Sequence, residues 1–518
     1  MFARSTVRRL IFLLPPAVLL AMVMFSGSTA NAASCESLAN LSLQETKITS
    51  AADVVAGAFV PPATGGGDTG GLPSAAQFGG LPAFCRVTAT LTPSIDSDVR
   101  IEVWMPASKW NGKLESVGNG GWAGVISYSA LAAALTGGYA AASTDTGHRG
   151  NGGSFALGHP EKMTDFAYRS VHEMTVAAKQ IVAAFYGHGP DLSFWNGCST
   201  GGRQGLTEAQ RYPSDYNGII AGAPANNRIH LYVWSMSVAQ TVHKDEANYI
   251  PPNKYVVIHR AVLDACDSLD GLHDGLIGDP RNCHFDPSVL ACKGGDEPSC
   301  LTAPQVETAR RLYASAKNPR TGQEIYPGLE PGSELGWAIH AGPRPSSYAI
   351  DGFRYVTFNN PEWDYRTLNL DSDVAFAEKV DNGATSAMDP NLKEFFGRGG
   401  KLLMYHGWSD PNIAPLNTLN YYQSVLKAMG ATAADSIRLF LFPGMGHCGG
   451  GDGPNTFDAM GTLAEWFEKG RAPTEILASH RDNGVVDRTR LICAYPEVAA
   501  YKGVASIDDA ANFVCKSP

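Results

Sequence analysis

The stretch Phe194-Trp195-Asn196-Gly197-Cys198-Ser199-Thr200-Gly201-Gly202 decides the fold class. It carries the pattern G-x-S-x-G directly after an apolar run typical of a strand and directly before a predicted helix, Arg203 to Arg211. A strand that turns sharply into a helix brings neighbouring backbone close together, which explains the glycines at 197 and 201. The helix start behind Ser199 also favours a developing oxyanion. We interpret the stretch as a nucleophile elbow; the alternative is a structural glycine-rich turn.

Other strand-like runs recur along the chain, at Val99 to Val103, Leu192 to Trp195, Lys401 to Tyr405 and Ile437 to Phe442. Between the first two, Phe166 to Tyr186 repeats apolar residues at i+3/i+4 spacing on one face, as a helix does. Strands that alternate with helices predict a mostly parallel sheet with helices on both sides. The predicted fold class is therefore α/β, with an α/β-hydrolase core.

The middle of the chain, residues 226–391, differs in composition from the rest. It is rich in Asp, Asn, Pro and aromatic residues, holds four cysteines close together and has few long apolar strands. We interpret it as a large inserted lid domain. The insertion divides the hydrolase core into a first part, residues 33–225, and a second part, residues 392–518.

Residues 1–32 have the composition of a secretory signal peptide. Arg4, Arg8 and Arg9 precede an apolar run, Leu10 to Phe25, and Ala30-Asn31-Ala32 provides a small-x-small cleavage site. A single membrane anchor is the alternative, but Pro15-Pro16 interrupts the run. We expect a secreted or periplasmic protein with no membrane association after cleavage.

The charge of the chain argues against nucleic acid as a partner. Removing residues 1–32 deletes three Arg and no acid, so the formal charge changes from −10 to −13. No run of Lys or Arg is present to bind phosphates. The sequence carries no signal for an oligomeric state.

The elbow requires an acid and a histidine later in the chain, in the order Ser, Asp, His. Asp410 follows a strand-like run on a predicted turn, and His447 follows the next such run in a glycine-rich loop. The sequence therefore predicts the catalytic triad Ser199, Asp410 and His447. The alternatives are that Asp410 caps a turn and that His447 is an ordinary loop histidine. His406 and His148 are competing bases, but both occur in the wrong order.

An oxyanion hole needs two backbone N–H groups. Thr200, directly after the nucleophile, supplies one. The glycine-rich segment Val117 to Trp122 follows a probable strand and supplies the other, through Gly121. Read alone, this segment suggests a nucleotide loop, but it lacks the G-x-G-x-x-G spacing.

All ten cysteines lie beyond the predicted signal peptide, and an even number in an exported chain argues for disulfides. Their distribution suggests four disulfides between cysteines that are close in the sequence, and Cys198 and Cys448 then remain as the fifth pair. The suggested neighbours are Cys35 with Cys85, Cys266 with Cys283, Cys292 with Cys300, and Cys493 with Cys515. Sequence alone leaves other pairings open. If Ser199 and His447 lie within hydrogen-bond reach, however, the adjacent Cys198 and Cys448 are close enough to bridge.

These residues resemble the tannase and feruloyl esterase family, whose hallmark is a Cys-Ser, Asp, His-Cys arrangement with a disulfide between the neighbours of the serine and the histidine. The likeness extends over nearly the whole mature chain. It includes Leu81 to Cys85, Trp110 to Gly112, Gly118 to Gly121, Ser143 to His148, Gly197 to Gly205, Ala221 to Ala225 and Cys493 to Pro496. The resemblance implies an α/β-hydrolase core with a large lid and carboxylic-ester hydrolase activity.

The resemblance also implies a calcium ion in the lid, within Cys266 to Leu276. By position, its ligands are the carboxylates of Asp267, Asp270 and Asp274 and the carbonyls of Leu272 and Leu276. Three Asp interleaved with Gly are a hard-oxygen set suited to calcium, although the spacing is not that of an EF-hand. The alternative is a plain Asp/Gly turn.

For function, the resemblance implies a small aromatic ester as substrate, with feruloyl and other hydroxycinnamate esters expected first. Gallate esters, as for a tannase, and mono(2-hydroxyethyl) terephthalate are the alternatives. A secreted binding protein on a hydrolase fold is the non-enzyme alternative, and the intact Ser, Asp and His argue against it. Arg354 and Arg366 are candidate partners for a terephthalate carboxylate; the alternative is that both are solvated. The lid has enough aromatic residues to form a flat apolar slot over Ser199, although some of them must belong to the lid core. They are Trp337, Tyr348, Phe353, Tyr355, Phe358, Trp363 and Tyr365.

Overall fold

The computed structural model of the chain describes residues 1–3, 33–62 and 78–518. The predicted signal sequence, apart from its first three residues, lies outside the described residues. Within the described part of the chain, no helix combines the length and the apolar character needed to cross a membrane.

Strands and helices alternate over most of the described residues. The strands are β1 (Thr46–Val54), β2 (Phe84–Leu91), β3 (Val99–Pro106), β4 (Lys113–Val117), β5 (Ala140–Thr144), β6 (Leu192–Cys198), β7 (Gly218–Gly222), β8 (Ala316–Lys317), β9 (Glu324–Tyr326), β10 (Lys401–Gly407), β11 (Ile437–Phe442), β12 (Glu475–Asp482), β13 (Val485–Cys493), β14 (Val498–Tyr501) and β15 (Phe513–Lys516). The α-helices are α1 (Tyr128–Thr136), α2 (Pro160–Thr164), α3 (Ser170–Tyr186), α4 (Thr200–Arg211), α5 (Arg228–Val242), α6 (Pro252–Cys266), α7 (Ala303–Tyr313), α8 (Ala338–Ala341), α9 (Ser347–Asp351), α10 (Ser372–Asp381), α11 (Lys393–Gly397), α12 (Pro415–Met429) and α13 (Ala459–Lys469).

Two predicted helices begin elsewhere than expected. The helix predicted from Phe166 starts as a π-helical turn, Asp165–Arg169, and becomes α-helical only at α3. The helix predicted from Arg203 begins at Thr200, because Ser199 alone makes the turn from β6 into α4.

Nine strands form one central sheet in the order β1-β2-β3-β5-β4-β6-β7-β10-β11. The strands at the β1 end pair antiparallel as far as β5, and every pair from β5 to β11 is parallel. Parallel strands end at the same edge of a sheet, so the loops that follow β4, β6, β10 and β11 meet there. This edge carries the segments in which the sequence predicts the oxyanion loop, the nucleophile, the acid and the histidine.

The segment between β7 and β10 forms a hydrophobic core separate from those on the faces of the sheet. Large buried side chains such as Trp234, Tyr326 and Trp337 lie in it. Trp122, from the loop after β4, packs against this core, and its indole N–H donates to the carbonyl of Tyr348 at 2.9 Å. The lid segment is thereby joined to the oxyanion loop.

The ten cysteines form five disulfides, and the pairs are the ones suggested by the sequence. They are Cys35–Cys85, Cys198–Cys448, Cys266–Cys283, Cys292–Cys300 and Cys493–Cys515. Four of the five join residues at most 50 positions apart, whereas Cys198–Cys448 spans 250.

Candidate active site

Ser199 lies at the tight turn between β6 and α4, with φ 61° and ψ −120°. A positive φ is unfavourable for a residue with a Cβ and persists only where the surroundings hold it. Here the Ser199 N–H donates to the carbonyl of Gly222 at 2.9 Å, and the Ser199 carbonyl accepts from the N–H of Ala225 at 3.1 Å. The sheet thus holds the serine in the conformation that the elbow requires.

Close backbone contacts surround the glycines near Ser199, and the sequence predicted them for Gly197 and Gly201. A Cβ on Gly201 would lie 3.2 Å from the carbonyl oxygen of Asn119, so the contact there is less tight than at Gly197. A Cβ on Gly197 would lie 2.5 Å from the backbone carbonyl of Gly201. A Cβ on Gly202 would lie 2.4 Å from the carbonyl oxygen of Gly222. Side chains at these positions would separate β6 from α4 or α4 from β7, and either change would displace Ser199.

Asp410 and His447 form a hydrogen-bonded pair at the ends of β10 and β11. The Nδ1 atom of His447 lies 2.7 Å from Oδ2 of Asp410. Asp410 is fully buried, whereas the His447 side chain keeps 18% of its surface exposed. A buried carboxylate on Nδ1 leaves Nε2 of the histidine free to face a nucleophile.

The carboxylate of Asp410 accepts four hydrogen bonds. Its Oδ1 atom accepts from the backbone N–H groups of Asn412, at 2.7 Å, and Ile413, at 3.1 Å. Its Oδ2 atom accepts from His447 and also contacts Nε2 of His406 at 2.9 Å. Burial alone would raise the pKa of Asp410, but the charge and hydrogen bonds of the two histidines hold it well below its usual value.

The two histidines considered as competing bases lie elsewhere. His406 is fully buried behind Asp410, where Nδ1 contacts the Thr418 hydroxyl at 2.7 Å. His148 is buried against Phe155, and its Nε2 atom bonds to the carbonyl of Trp122 at 2.7 Å. Burial lowers the pKa of His148 to about 4. The sequence argument did not foresee that His406 is a second partner of the acid.

Ser199 and His447 line the same cavity, and the disulfide between their neighbours joins their loops. The Cα atoms of Cys198 and Cys448 lie 5.9 Å apart. The hydrogen bonds within the described residues do not include one between Ser199 Oγ and His447. Such bonds are often long in substrate-free enzymes and shorten when a substrate is bound.

Gly121 and Thr200 meet at the mouth of this cavity. The Thr200 hydroxyl donates to the carbonyl of Gly121 at 2.9 Å, and both residues line the cavity. Thr200 is the first residue of α4, and the first N–H groups of a helix have no partner within it. Gly121 has φ +52°, and a Cβ there would lie 2.5 Å from the ring of Tyr348. Glycine is therefore required where the lid closes over the loop.

The cavity has a volume of about 650 Å³ and lies between the sheet edge and the lid. The lid contributes Leu231, Tyr232, Ser235, Ile339, His340, Ser346, Tyr348 and Ala349. The core contributes Glu115, Val117, Gly118, Asn119, Gly120, Gly121, Ala130, Ala133, Asn196, Gly197, Cys198, Ser199, Thr200, Ala225, Tyr405, Asn412, Ile413, His447 and Cys448.

The predicted aromatic slot is wrong in most of its members. Of the aromatic residues expected to cover Ser199, only Tyr348 lines the cavity. Trp337, Phe353, Trp363 and Tyr365 are buried in the lid core, and Phe358 packs partly buried against it. Dense aromatics more often form a core than a binding surface, and here leucine, isoleucine and tyrosine side chains replace them over the serine.

The two arginines suggested for a carboxylate also lie outside the cavity lining. The Nε atom of Arg354 donates to the carbonyl of Trp363 at 3.1 Å. Arg366 pairs with Asp364 at 3.3 Å on the surface. Both guanidinium groups therefore make their contacts within the lid.

The loop predicted to bind calcium folds its acidic side chains back on its own backbone. Asp267 accepts from the N–H groups of Asp274, at 3.1 Å, and Gly275, at 3.0 Å. Asp270 accepts from the N–H of Leu272 at 3.0 Å. Asp274 is also paired with Arg490 at 2.7 Å, so one positive charge already faces the loop.

The central sheet, the serine at positive φ after β6 and the His447–Asp410 pair at the ends of β11 and β10 define an α/β-hydrolase. The profile of the family described as tannase and feruloyl esterase matches residues 85–516. The chain belongs to the tannase and feruloyl esterase family, and it is a carboxylic-ester hydrolase.

Related proteins share about a third of their sequence with this chain over most of their length. An uncharacterized esterase of Xanthomonas campestris pv. campestris is 36% identical, over 94% of this chain and 92% of the relative. A probable feruloyl esterase B-2 of Neosartorya fischeri is also 36% identical, over 83% of this chain and 86% of the relative.

Solved structures agree with the fold. The crystal structure of feruloyl esterase B from Aspergillus oryzae superposes with a TM-score of 0.86 at 32% identity and covers 93% of this chain and 99% of its own. The tannin acyl hydrolase from Aspergillus niger superposes with a TM-score of 0.76 at 22% identity, over 92% of each chain. At that identity the second likeness concerns the fold alone.

Proposed function

We propose that this enzyme hydrolyses esters of aromatic acids, with hydroxycinnamate esters such as methyl ferulate as its preferred class, and that Ser199 is the nucleophile. The observation that carries the proposal is the cavity that Ser199, His447 and the lid residue Tyr348 line together. Relatives described as probable feruloyl esterases, at 36% identity over 83% of the chain, support the substrate class.

In the proposed first step, Nε2 of His447 removes the proton from Oγ of Ser199 while Oγ attacks the ester carbonyl carbon. Asp410 fixes the tautomer of His447 and stabilises its charged form. The oxyanion that forms accepts hydrogen bonds from the N–H groups of Thr200 and Gly121, next to the positive end of α4.

Collapse of the tetrahedral intermediate breaks the bond to the alcohol, which leaves with the proton held by His447. The aromatic acid remains attached to Ser199 as an acyl-enzyme. Water then attacks the same carbonyl carbon, with His447 again as base. The aromatic acid is released, and the Ser199 hydroxyl is regenerated by the proton from His447.

We also propose a structural calcium ion in the lid, bound by Asp267, Asp270, Asp274 and the carbonyls of Leu272 and Leu276. The donor set is all oxygen, as calcium prefers. Burial and the charges of Asp274 and Asp267 raise the pKa of Asp270, so the carboxylates are close enough to repel each other. A cation would remove that repulsion and fix the loop. Arg490 pairs with Asp274, and Nδ1 of His273 lies 2.9 Å from Asp267, so among the described residues Asp270 is the one of the three acids without a basic side-chain partner.

We propose that the protein acts in the periplasm or outside the cell, after removal of residues 1–32. Five disulfides are consistent with an oxidising compartment. The n-region, apolar run and small-residue cleavage pattern of those 32 residues support export.

The substrate class is tested by comparing kcat/KM for methyl ferulate, methyl gallate, mono(2-hydroxyethyl) terephthalate and a short aliphatic p-nitrophenyl ester. The proposal expects methyl ferulate to exceed the other three. A higher kcat/KM for the gallate or the terephthalate monoester would assign that aromatic acid as the preferred acyl group. A preference for the aliphatic ester would reject aromatic acids as a class. A Ser199→Ala preparation in every assay controls for contaminating esterases.

A further inference from the structure

The cavity that contains Ser199 continues past the oxyanion loop along one face of the central sheet. At this inner end its lining residues come from β4, β6 and β10 on one side and from α1 on the other. Helix α1 presents Ala130 and Ala133, one helical turn apart. Ala130 is half-buried and Ala133 is exposed, so the cavity opens to solvent beside α1, and larger side chains at these positions would narrow it.

Glu115 is an unexpected residue for this inner end. It lies on the central strand β4 with only 4% of its surface exposed. Its Oε1 atom accepts a hydrogen bond from Nδ2 of Asn196 at 3.0 Å, and among the described residues this is the one hydrogen bond that the Glu115 side chain makes. Burial raises the pKa of Glu115 to about 7, which the bond from Asn196 offsets in part.

A second polar group on the same wall has hydrogen-bonding capacity that no protein group uses. The hydroxyl of Tyr405, on β10, makes no hydrogen bond within the described residues, and burial raises its pKa to about 12. Both Glu115 and Tyr405 line the cavity, as does Asn196. Neither the free oxygen of Glu115 nor the hydroxyl of Tyr405 is among the fully buried unpaired atoms of the described residues, so both are accessible from the cavity. Their presence on one cavity wall indicates a place for a polar ligand group.

The position of these groups relative to Ser199 limits what that ligand is. Asn196 precedes Ser199 by three residues along β6, which at roughly 3.3 Å per residue is about 10 Å. Val117, Ala130 and Ala133 also line the cavity, and their apolar side chains suit an apolar ring. A group that reaches the inner end from an ester at Ser199 must therefore be long, largely apolar and polar at its tip.

We propose that Glu115, Asn196 and Tyr405 form a subsite that binds a hydroxyl group of the ester substrate. A hydroxyl both donates and accepts, so it can donate to the free oxygen of Glu115 and accept from the amide of Asn196 or the hydroxyl of Tyr405. The subsite rests on the proposed function, since the hydroxyl belongs to an ester held at Ser199. The hydroxyl comes either from the aromatic acid, as a phenol, or from the alcohol part, as a polyol.

The test compares wild type with Glu115→Leu, which removes the carboxyl while keeping a side chain of similar size. The acid arm is the ratio of kcat/KM for methyl ferulate to that for methyl cinnamate, which lacks the ring hydroxyl. The alcohol arm is the ratio for chlorogenate to that for methyl caffeate, which share the same acid. Loss of one hydrogen bond to a buried carboxyl predicts a fall of about 10-fold in one ratio.

A fall in the first ratio assigns the subsite to the phenol, and a fall in the second assigns it to the alcohol. If both ratios in the variant equal those of wild type, the subsite is rejected. Glu468→Gln is the matched control. Glu468 is an exposed glutamate on α13 that pairs with Lys113, which lies on the same strand as Glu115. Neither ratio should change in it.

Glu115→Gln provides the second variant if Glu115→Leu does not fold. It keeps the shape of the side chain but cannot carry a charge, so the affected ratio should fall by a smaller factor, about 3-fold. An unchanged ratio in a folded Gln variant rejects the subsite. Failure of the proposed function is distinct, because wild type itself would then show no preference for aromatic esters.

Discussion

Nε2 of His406 lies 2.9 Å from Oδ2 of Asp410, the oxygen that also accepts the hydrogen bond from His447. The same nitrogen lies 3.1 Å from the carbonyl of Ile413. Because both neighbours are acceptors, Nε2 must carry a hydrogen, and the tautomer of His406 is thereby defined. Asp410 is thus held by two imidazoles, one facing the cavity and one buried behind it.

We predict that His406→Leu changes the pH dependence of catalysis as well as its rate. Without the bond from His406, the negative charge of Asp410 is less stabilised and attracts the protonated form of His447 more strongly. The acidic limb of the kcat/KM profile should therefore move to higher pH, and kcat should fall about 10-fold. Rates measured from pH 4 to pH 9 test both effects.

His406→Gln is the control for this prediction. A glutamine amide can donate to Asp410, so the acidic limb should return toward its wild-type position in a folded Gln variant. If both variants lose rate equally with no shift in the limb, His406 is a packing residue only.

Ser199→Ala should abolish ester hydrolysis while leaving the fold intact. Loss of a triad serine commonly lowers kcat by at least about 10³-fold, with residual activity from the oxyanion hole. The melting temperature should change little, because the Ser199 hydroxyl makes no hydrogen bond within the described residues. Hydrolysis of a hydroxycinnamate ester at near wild-type rate by the folded variant would contradict the triad, as would a fluorophosphonate adduct at another residue in wild type.

Replacement of both Cys198 and Cys448 by serine should reduce activity under conditions in which the fold persists. The disulfide closes 250 residues, for which chain-entropy estimates give about 5 kcal/mol as a ceiling. It also joins the loops that carry Ser199 and His447. We therefore expect kcat to fall at temperatures well below the onset of unfolding, measured by activity and circular dichroism on the same sample.

The matched control replaces Cys493 and Cys515, whose disulfide joins β13 to β15. That double variant should lose stability without a comparable loss of kcat. Equal losses of kcat in both double variants would show that the effect is one of general stability.

The placement of Ser199, Asp410 and His447 at one edge of the sheet could be predicted from the sequence because its signals are local. G-x-S-x-G marks a turn between a strand and a helix, and chain order alone distinguishes His447 from His406 and His148. The Cys198–Cys448 pair followed from the same reasoning. These inferences need only the fact that parallel strands end at one edge of a sheet.

The lid side of the cavity could not be predicted in the same way. Tyr348 and Trp337 are both aromatic lid residues, yet Tyr348 covers Gly121 while the Trp337 indole donates to Ser333 inside the lid at 3.1 Å. Which aromatic residue faces Ser199 depends on how short lid helices pack, and no periodicity in the sequence records that packing.

Glu115 and His406 were missed for a related reason. A glutamate between Leu114 and Ser116 suggests a surface position, but β4 is a central strand covered on both faces. His406 could be excluded as the base by chain order, but its contact with Asp410 depends on the turn after β10. Chain order therefore excluded His406 as the base but could not reveal that it contacts Asp410.

The stability of the lid should depend on pH through His259, on α6. Its Nδ1 atom lies 2.7 Å from Glu334, and its Nε2 atom lies 3.3 Å from Asp452, in the loop that follows His447. Burial alone would lower the pKa of His259, but the hydrogen bonds and charges of Asp452 and Glu334 raise it to about 9. The lid is thus attached to the loop that follows His447 through a protonated imidazole.

A raised pKa in the folded state contributes stability that is fully present below about pH 6.5, the unfolded value, and lost as the pH rises through about 9. The melting temperature should therefore fall between pH 6.5 and pH 9.5, and His259→Gln should reduce this fall. His230→Gln is the control, because His230 pairs with Glu378 at 2.6 Å within the lid, and it should retain the wild-type pH dependence. An identical pH dependence in wild type and His259→Gln would contradict the assignment.

Removal of calcium should lower the melting temperature by a few degrees and leave the chemistry of Ser199 unchanged at low temperature. A ligand present at 100 times its Kd stabilises the folded state by about 2.7 kcal/mol.

Asp270→Asn should reduce the dependence on calcium, because it removes one carboxylate from the proposed site. Asp286→Asn, a change at an exposed lid aspartate paired with Arg310, is the control and should leave that dependence unchanged. The measurement is a melting curve of chelator-treated, dialysed protein with and without added calcium, with magnesium as a second addition. If the dialysed protein binds no calcium and its melting temperature does not respond, the loop around Asp267 is a turn stabilised by its own backbone hydrogen bonds and by Arg490.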